Sequence, residues 1–179
     1  MREPTLEETI ELARKAHAGQ FDRVREPYFN HLERVASLCL HPKIQKLAYL
    51  HDIIEDTELS EDDLARLGYG PLTLLHLRAL TKKPDELYLD YINRASSYSF
   101  SALVKLADLY DHLTRLDRLP AATRARLRWK YETAWYWIVE EKPCLVANFL
   151  KKNGLVSPIE EVIDELPSIV QKRKAHRTI

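Results

Sequence analysis

Apolar residues recur every three to four positions along most of the chain, the period of helices that bury one face. Leu6, Ile10 and Ala13 share such a face; Thr5 and Glu8 form a capping box before it, and Gly19 ends it. Residues 20–30 break the period with charges and Pro27, and read as a loop. A second helix is predicted from about His31 to Leu40. A third opens on Pro42, a good first-turn residue, and continues through His51 to Asp56. Ser60 with Asp63 opens a short helix that ends near Gly68. Further helices are predicted from about Pro71 to Thr81, Pro84 to Ser97, Ser99 to Asp117 and Pro120 to Glu141. Pro143 introduces a short segment broken by Gly154, and Ser157-Pro158-Ile159-Glu160 caps a last helix. Four glycines, and no repeat or linker, complete an all-α pattern: one compact domain over 1–179, a bundle of eight to ten helices.

Composition narrows the function classes. At 179 residues the chain is long enough to bury a proper core. Its 27 Lys plus Arg balance 27 Asp plus Glu, so no global field argues for nucleic acid or a membrane surface. An anionic ligand must then be met by a local group of cations. No apolar run approaches the ~20 residues of a membrane span. Cys39 and Cys144 lack metal-site spacing and suit a reducing compartment, and the N-terminus has no apolar signal core; a cytoplasmic location is expected. The basic run from Gln171 to Arg177 reads as a solvated terminus.

One stretch contradicts the apolar pattern. His51, Asp52, Glu55 and Asp56 interrupt an apolar helical segment, with His51 and Glu55 four apart and Asp52 and Asp56 four apart, which predicts two adjacent polar columns. Burying such a block without partners is costly, whereas a metal site uses it. His31 lies twenty residues upstream, consistent with an antiparallel helix pair, and Asp108 sits within another apolar stretch. Two imidazoles and two carboxylates suit Mn²⁺, Fe²⁺, Co²⁺ or Zn²⁺ better than an all-oxygen Mg²⁺ or Ca²⁺ site. Each of Glu55 and Asp56 stands one turn from a ligand, within reach of a water to be activated.

The set His31, His51-Asp52, Asp108 resembles the H…HD…D signature of HD-domain metal phosphohydrolases. Four ordered segments narrow the resemblance: Ala16-His17-Ala18-Gly19-Gln20, Glu26-Pro27-Tyr28-Phe29-Asn30-His31, HDIIEDT from His51 to Thr57, and VKLADL from Val104 to Leu109. Together they are similar to the hydrolase domain of RelA/SpoT homologues, and most to stand-alone small alarmone hydrolases, over about residues 5–140. The segment 142–179 is read as a C-terminal helical extension. The resemblance implies a compact HD-domain bundle and a Mn²⁺-dependent pyrophosphohydrolase that removes the 3′-diphosphate of (p)ppGpp, a small phosphorylated nucleotide. It implies His31, His51, Asp52 and Asp108 as metal ligands, and Glu55 and Asp56 as the pair that handles the attacking water. It places a basic residue at Arg23, and Arg25 is a further candidate for phosphate. Where relatives usually have Asn beside the sugar, this chain has His112, one turn after Asp108, with Arg115 a turn further on.

His112 keeps open an HD-type phosphatase acting on another nucleotide such as NADPH; a non-catalytic nucleotide sensor is a separate alternative, against which Glu55 and Asp56 stand beside a complete ligand set. His17 is read as a packing histidine, His41 as a cap, His76 as the edge of a core helix, and Lys82 and Lys83 as a solvated helix end. The aromatic set Trp129, Tyr131, Trp135, Tyr136 and Trp137 reads as core, with one face available to a second copy in a homo-oligomer.

Overall fold

The computed structural model describes residues 2–158. The last helix expected after Ser157, most of the C-terminal extension's second half and the basic run at 171–177 lie outside the described residues. Within them the regular structure is helical, apart from an isolated antiparallel bridge between Phe21 and Pro27. Its helices are α1 (Leu6–Ala16), α2 (Tyr28–Ser37), α3 (Pro42–Leu50), α4 (Ile53–Asp56), α5 (Glu61–Arg66), α6 (Pro71–Leu80), α7 (Tyr88–Ala95), α8 (Ser99–Thr114), α9 (Ala121–Glu141) and α10 (Pro143–Asn153). A 3₁₀ turn, Leu116–Arg118, links α8 to α9.

Local chemistry sets most of the boundaries. Capping boxes at Thr5/Glu8 and Ser60/Asp63 open α1 and α5 with both reciprocal bonds made. The His41 side chain accepts from the Lys43 amide ahead of Pro42, as its reading as a cap required. Gly154 takes the left-handed conformation (φ 63°) that ends α10, and the Leu155 amide bonds back to the Leu150 carbonyl at 2.9 Å.

Three boundaries differ from the periodicity. α2 starts at Tyr28, three residues early, because Pro27 takes an extended conformation and serves as its N-cap. α7 starts at Tyr88 rather than Pro84: Asp85 adopts φ 59°, which no helix accommodates, and the Lys83 amide is capped by the Glu86 side chain at 3.0 Å. The third difference falls on the polar block itself. The helix from Pro42 does not run through to Asp56; it breaks at His51-Asp52, where Asp52 has φ −103° and ψ 0°. His51 Nδ1 donates to the Ala48 carbonyl at 2.7 Å, the acceptor an unbroken helix would offer to the Asp52 amide. The two polar columns are therefore replaced by a corner.

α8 is the central element. It packs against α2, α3, α6, α7, α9 and α10 and carries Ala102, Val104, Leu106, Ala107 and Leu109 fully out of solvent. Truncating a side chain such as Leu106 to Ala here costs about 2–5 kcal/mol. From α9, Tyr131, Trp135 and Trp137 are buried while Trp129 is 51 % exposed. A smaller apolar cluster of Ala13, Phe29 and Leu32 seats α1 on α2. No helix among the described residues is long and apolar enough to cross a membrane. The consequence for function is that α2, α3 and α8 pack pairwise against one another, so residues 31, 51 and 108 meet.

Candidate metal centre

His31 from α2, His51 from the end of α3, Asp52 from the corner and Asp108 from α8 converge at one point. Ligand atoms of His31, His51 and Asp108 all lie within 4.8 Å of one another. His31 Nε2 is 3.5 Å from Asp108 Oδ1 and 3.8 Å from Asp52 Oδ2; His51 Nε2 is 3.0 Å from Asp52 Oδ2 and 3.9 Å from Asp108 Oδ1. Atoms about 2.1 Å from a common cation are about 3–4 Å apart.

The protonation pattern shows why these contacts call for positive charge. The Ala48 carbonyl can only accept, so His51 carries its proton on Nδ1 and turns a lone pair inward at Nε2. His31 Nδ1 faces Asp111 Oδ2 at 2.8 Å, which fixes the same tautomer. Lys105 Nζ bonds Asp108 Oδ2 at 2.7 Å and leaves Oδ1 facing the histidines. His31 Nε2, His51 Nε2 and Asp108 Oδ1 are buried without a hydrogen-bond partner, although His112 Nε2 lies 3.1 Å from Asp108 Oδ1. With the rings neutral, acceptor atoms thus face one another, an arrangement that a divalent cation resolves. The residues present fit such a cation.

The same field acts on the titrating groups. Burial opposes charge on His51, but the adjacent Asp52 carboxylate outweighs it and raises the ring to about 9, so that without a cation a second proton at Nε2 takes the place a metal would fill. Burial also opposes charge on Asp108, but Lys105 and then His112 hold its carboxyl well below the usual range. For His31 burial prevails and the pKa falls. Asp52 accepts a short hydrogen bond from the Tyr28 hydroxyl.

Glu55 and Asp56 stand at the exposed rim beside the corner. Partial burial is the first cause that raises both carboxyls, and the charge of Asp52 adds to it. The Lys82 amide donates a short hydrogen bond to Glu55 Oε1. Gln20 ties the rim from the other side: its Nε2 donates to the Asp56 carbonyl at 2.6 Å, and its Oε1 faces His17 Nδ1 at 2.7 Å. His17 is buried and stacks on Tyr28 at 5.1 Å, the packing role its periodic position suggested.

A cavity of about 390 Å³ opens beside His31, walled by Arg23, Tyr28, His112, Arg115 and Tyr131 among others. Of the four residues expected to meet substrate, Arg23, His112 and Arg115 line it. Arg25 does not; it is exposed at φ 62° in the turn between Asp22 and Glu26. Arg115 is already engaged, with Nη2 2.5 Å from Glu26 Oε2. His112 is stacked between His31 (4.9 Å) and Tyr131 (4.7 Å, 4° between planes).

Sequence reasoning passed over Tyr28, Lys105, Gln20, Arg34, Asp111 and the Lys82 amide. Tyr28, Lys105 and Gln20 lie inside or beside the motifs. Arg34 and Asp111 carry a signal of a different kind, each one helical turn beyond a ligand. The amide contact has no side-chain signal.

No protein-family model matches the chain. Its fold is the all-α HD-domain fold: a solved structure described as a metazoan ortholog of SpoT that hydrolyzes ppGpp superposes with a TM-score of 0.66 at 22 % identity, over 84 % of this chain and 96 % of that one. In sequence the chain is 32 % identical over 107 residues to the Drosophila melanogaster guanosine-3′,5′-bis(diphosphate) 3′-pyrophosphohydrolase MESH1, covering 54 % of this chain and 59 % of the relative. It is 31 % identical over 130 residues to the Haemophilus influenzae guanosine-3′,5′-bis(diphosphate) 3′-pyrophosphohydrolase, covering 65 % of this chain and 19 % of that protein. The resemblance to alarmone hydrolases read from the motifs recurs in the curated relatives, of each of which the chain spans less than two thirds, while the solved structure shares the fold.

Proposed function

We propose that this chain is a single-domain metal-dependent phosphohydrolase that removes the 3′-diphosphate of ppGpp, or of a related nucleotide, as pyrophosphate. The convergence of unpartnered His31 Nε2, His51 Nε2 and Asp108 Oδ1 beside Asp52 carries the reading of a metal centre. The relatives' names support the substrate. The mixed nitrogen and oxygen donors suit Mn²⁺, Fe²⁺, Co²⁺ or Zn²⁺, and the resemblance to alarmone hydrolases implies Mn²⁺ among them. When bound, the cation supplies Lewis acidity toward the phosphoryl group and toward water.

The remaining chemistry belongs to the chain. Asp52 is oriented by Tyr28, and Asp108 by Lys105. Glu55, with Oε1 held by the Lys82 amide, has Oε2 available to take the proton of the attacking water; Asp56, one residue along the rim, steadies that water and manages the proton at departure. Arg23 meets phosphate oxygens from the cavity loop, and Arg25 contributes only charge from outside the wall. Arg115 shapes the cavity through its pair with Glu26. His112, stacked against Tyr131, faces the sugar. The cytoplasm is the setting we propose.

The test is product analysis with Mn²⁺ and ppGpp. Wild type releases pyrophosphate and Asp52→Ala does not; no turnover by wild type, or equal turnover by the variant, overturns the reading. His112 supports a second reading, a phosphatase acting on a nucleotide such as NADPH. That reading expects inorganic phosphate from a nucleotide panel and a gain of ppGpp hydrolysis in His112→Asn. Tight ppGpp binding by metal-loaded protein without any product would instead mark a sensor.

A further inference from the structure

His31 and Arg34 stand one turn apart on α2, and Asp108 and Asp111 one turn apart on α8. The two helices pack together, so the pairs meet as two rungs. On one rung His31 Nε2 faces Asp108 Oδ1 at 3.5 Å. On the other, both oxygens of Asp111 are engaged. Arg34 Nε donates to Oδ1 at 2.5 Å and Arg34 Nη2 to Oδ2 at 3.1 Å, while Oδ2 also takes His31 Nδ1 at 2.8 Å. Asp111 is 6 % exposed and His31 2 %.

A surface ion pair would give little from such contacts. This one is buried on its Asp111 side, half-buried on its Arg34 side, and joined to a ring whose opposite nitrogen has no partner. Asp111 can only accept, so it keeps the proton of neutral His31 on Nδ1 and the lone pair on Nε2. Without that acceptor the imidazole can carry its proton on Nε2, where it blocks ligation.

We infer that Asp111, clamped by Arg34, is a positioning residue that sets the tautomer and ring orientation of His31 toward the metal centre. This deepens the proposed function and rests on its reading of the centre. Arg34 Nη1 also lies 3.5 Å from Glu26 Oε2, and Glu26 binds Arg115, so the clamp is continuous with the loop that walls the cavity.

The test uses Asp111→Asn, which keeps the shape but offers a single oxygen to three donor atoms. Mn²⁺ is titrated into metal-stripped protein, and the His31 tautomer is read from ring ¹⁵N shifts in the metal-free form. The expected result is a loss of Mn²⁺ affinity of about 10–100-fold and an Nε2-protonated population, with the helical circular dichroism retained. Unchanged affinity with an unchanged tautomer overturns the inference. Should Asp111→Asn fail to fold, Arg34→Gln carries both measurements: a smaller loss of affinity supports the clamp, and wild-type affinity and tautomer refute it. Wild type that binds no Mn²⁺ would overturn the metal centre instead, while the tautomer measurement still decides whether Asp111 orients His31.

Discussion

His51 and Asp108 are 4 % and 3 % exposed, and each is anchored on the side away from the cluster, by the Ala48 carbonyl and by Lys105. Arg23, Arg25, Glu55 and Asp56, at the outer side of the same site, are exposed. The inner group needs several atoms to converge within fractions of an ångström, so it is built on packed helices and its ring tautomers are set by neighbours. The outer group meets a molecule that arrives and leaves, and it sits on a loop and a helix end. Burial sets the geometry of the first; chain connectivity and a few hydrogen bonds, such as that of the Lys82 amide to Glu55, place the second.

Five variants test that division. Asp52→Ala, or chelation of wild type, removes the inner group and is expected to cost more than about 10⁴-fold in kcat, because Lewis acidity and water activation fail together. Turnover that survives either would dissolve the distinction. Glu55→Gln and Asp56→Asn are expected to lower kcat by about 10²–10⁴-fold, with Mn²⁺ affinity by titration calorimetry within a few-fold of wild type. A parallel loss of metal would move these residues into the inner group. Arg23→Ala should raise KM about 10–100-fold, the loss of a charged hydrogen bond of about 1.5–3 kcal/mol, with a smaller change in kcat. Arg25→Ala, outside the cavity wall, should change kcat/KM by less than about twofold, the scale of a surface substitution.

The same division decides what the sequence discloses. The ligands were legible because several histidines and carboxylates set into apolar runs need partners: His51-Asp52 and Asp108 are anomalous against Leu50, Ile53, Leu106 and Leu109. Helix existence was legible for the same reason, and the capping boxes at Thr5 and Ser60 marked starts to the residue. The corner at His51 was not legible, since it depends on an imidazole competing for a backbone carbonyl within a segment whose period is helical. Nor was the late start of α7, which follows from the left-handed Asp85. Arg115 fell on the expected side of α8, yet its pairing with Glu26 joins residues 89 apart, and no local pattern records that. Arg25 could not be separated from Arg23 by type or neighbourhood; only the path of the loop places one in the cavity wall and the other outside it.

Lys105 has a consequence that reaches beyond holding Asp108 in place. With both histidines neutral, the two aspartates of the cluster offset a divalent cation completely, and the loaded centre would present no net charge to its visitor. The buried ammonium adds one positive charge within hydrogen-bond distance of Asp108 Oδ2. Among the buried groups a bound cation would leave that ammonium as the excess positive charge, with the carboxylates of Glu55 and Asp56 opposing it at the rim. In this chain of zero formal net charge, the cations that could meet a phosphorylated molecule are local ones: Lys105 within the centre and Arg23 on the cavity wall.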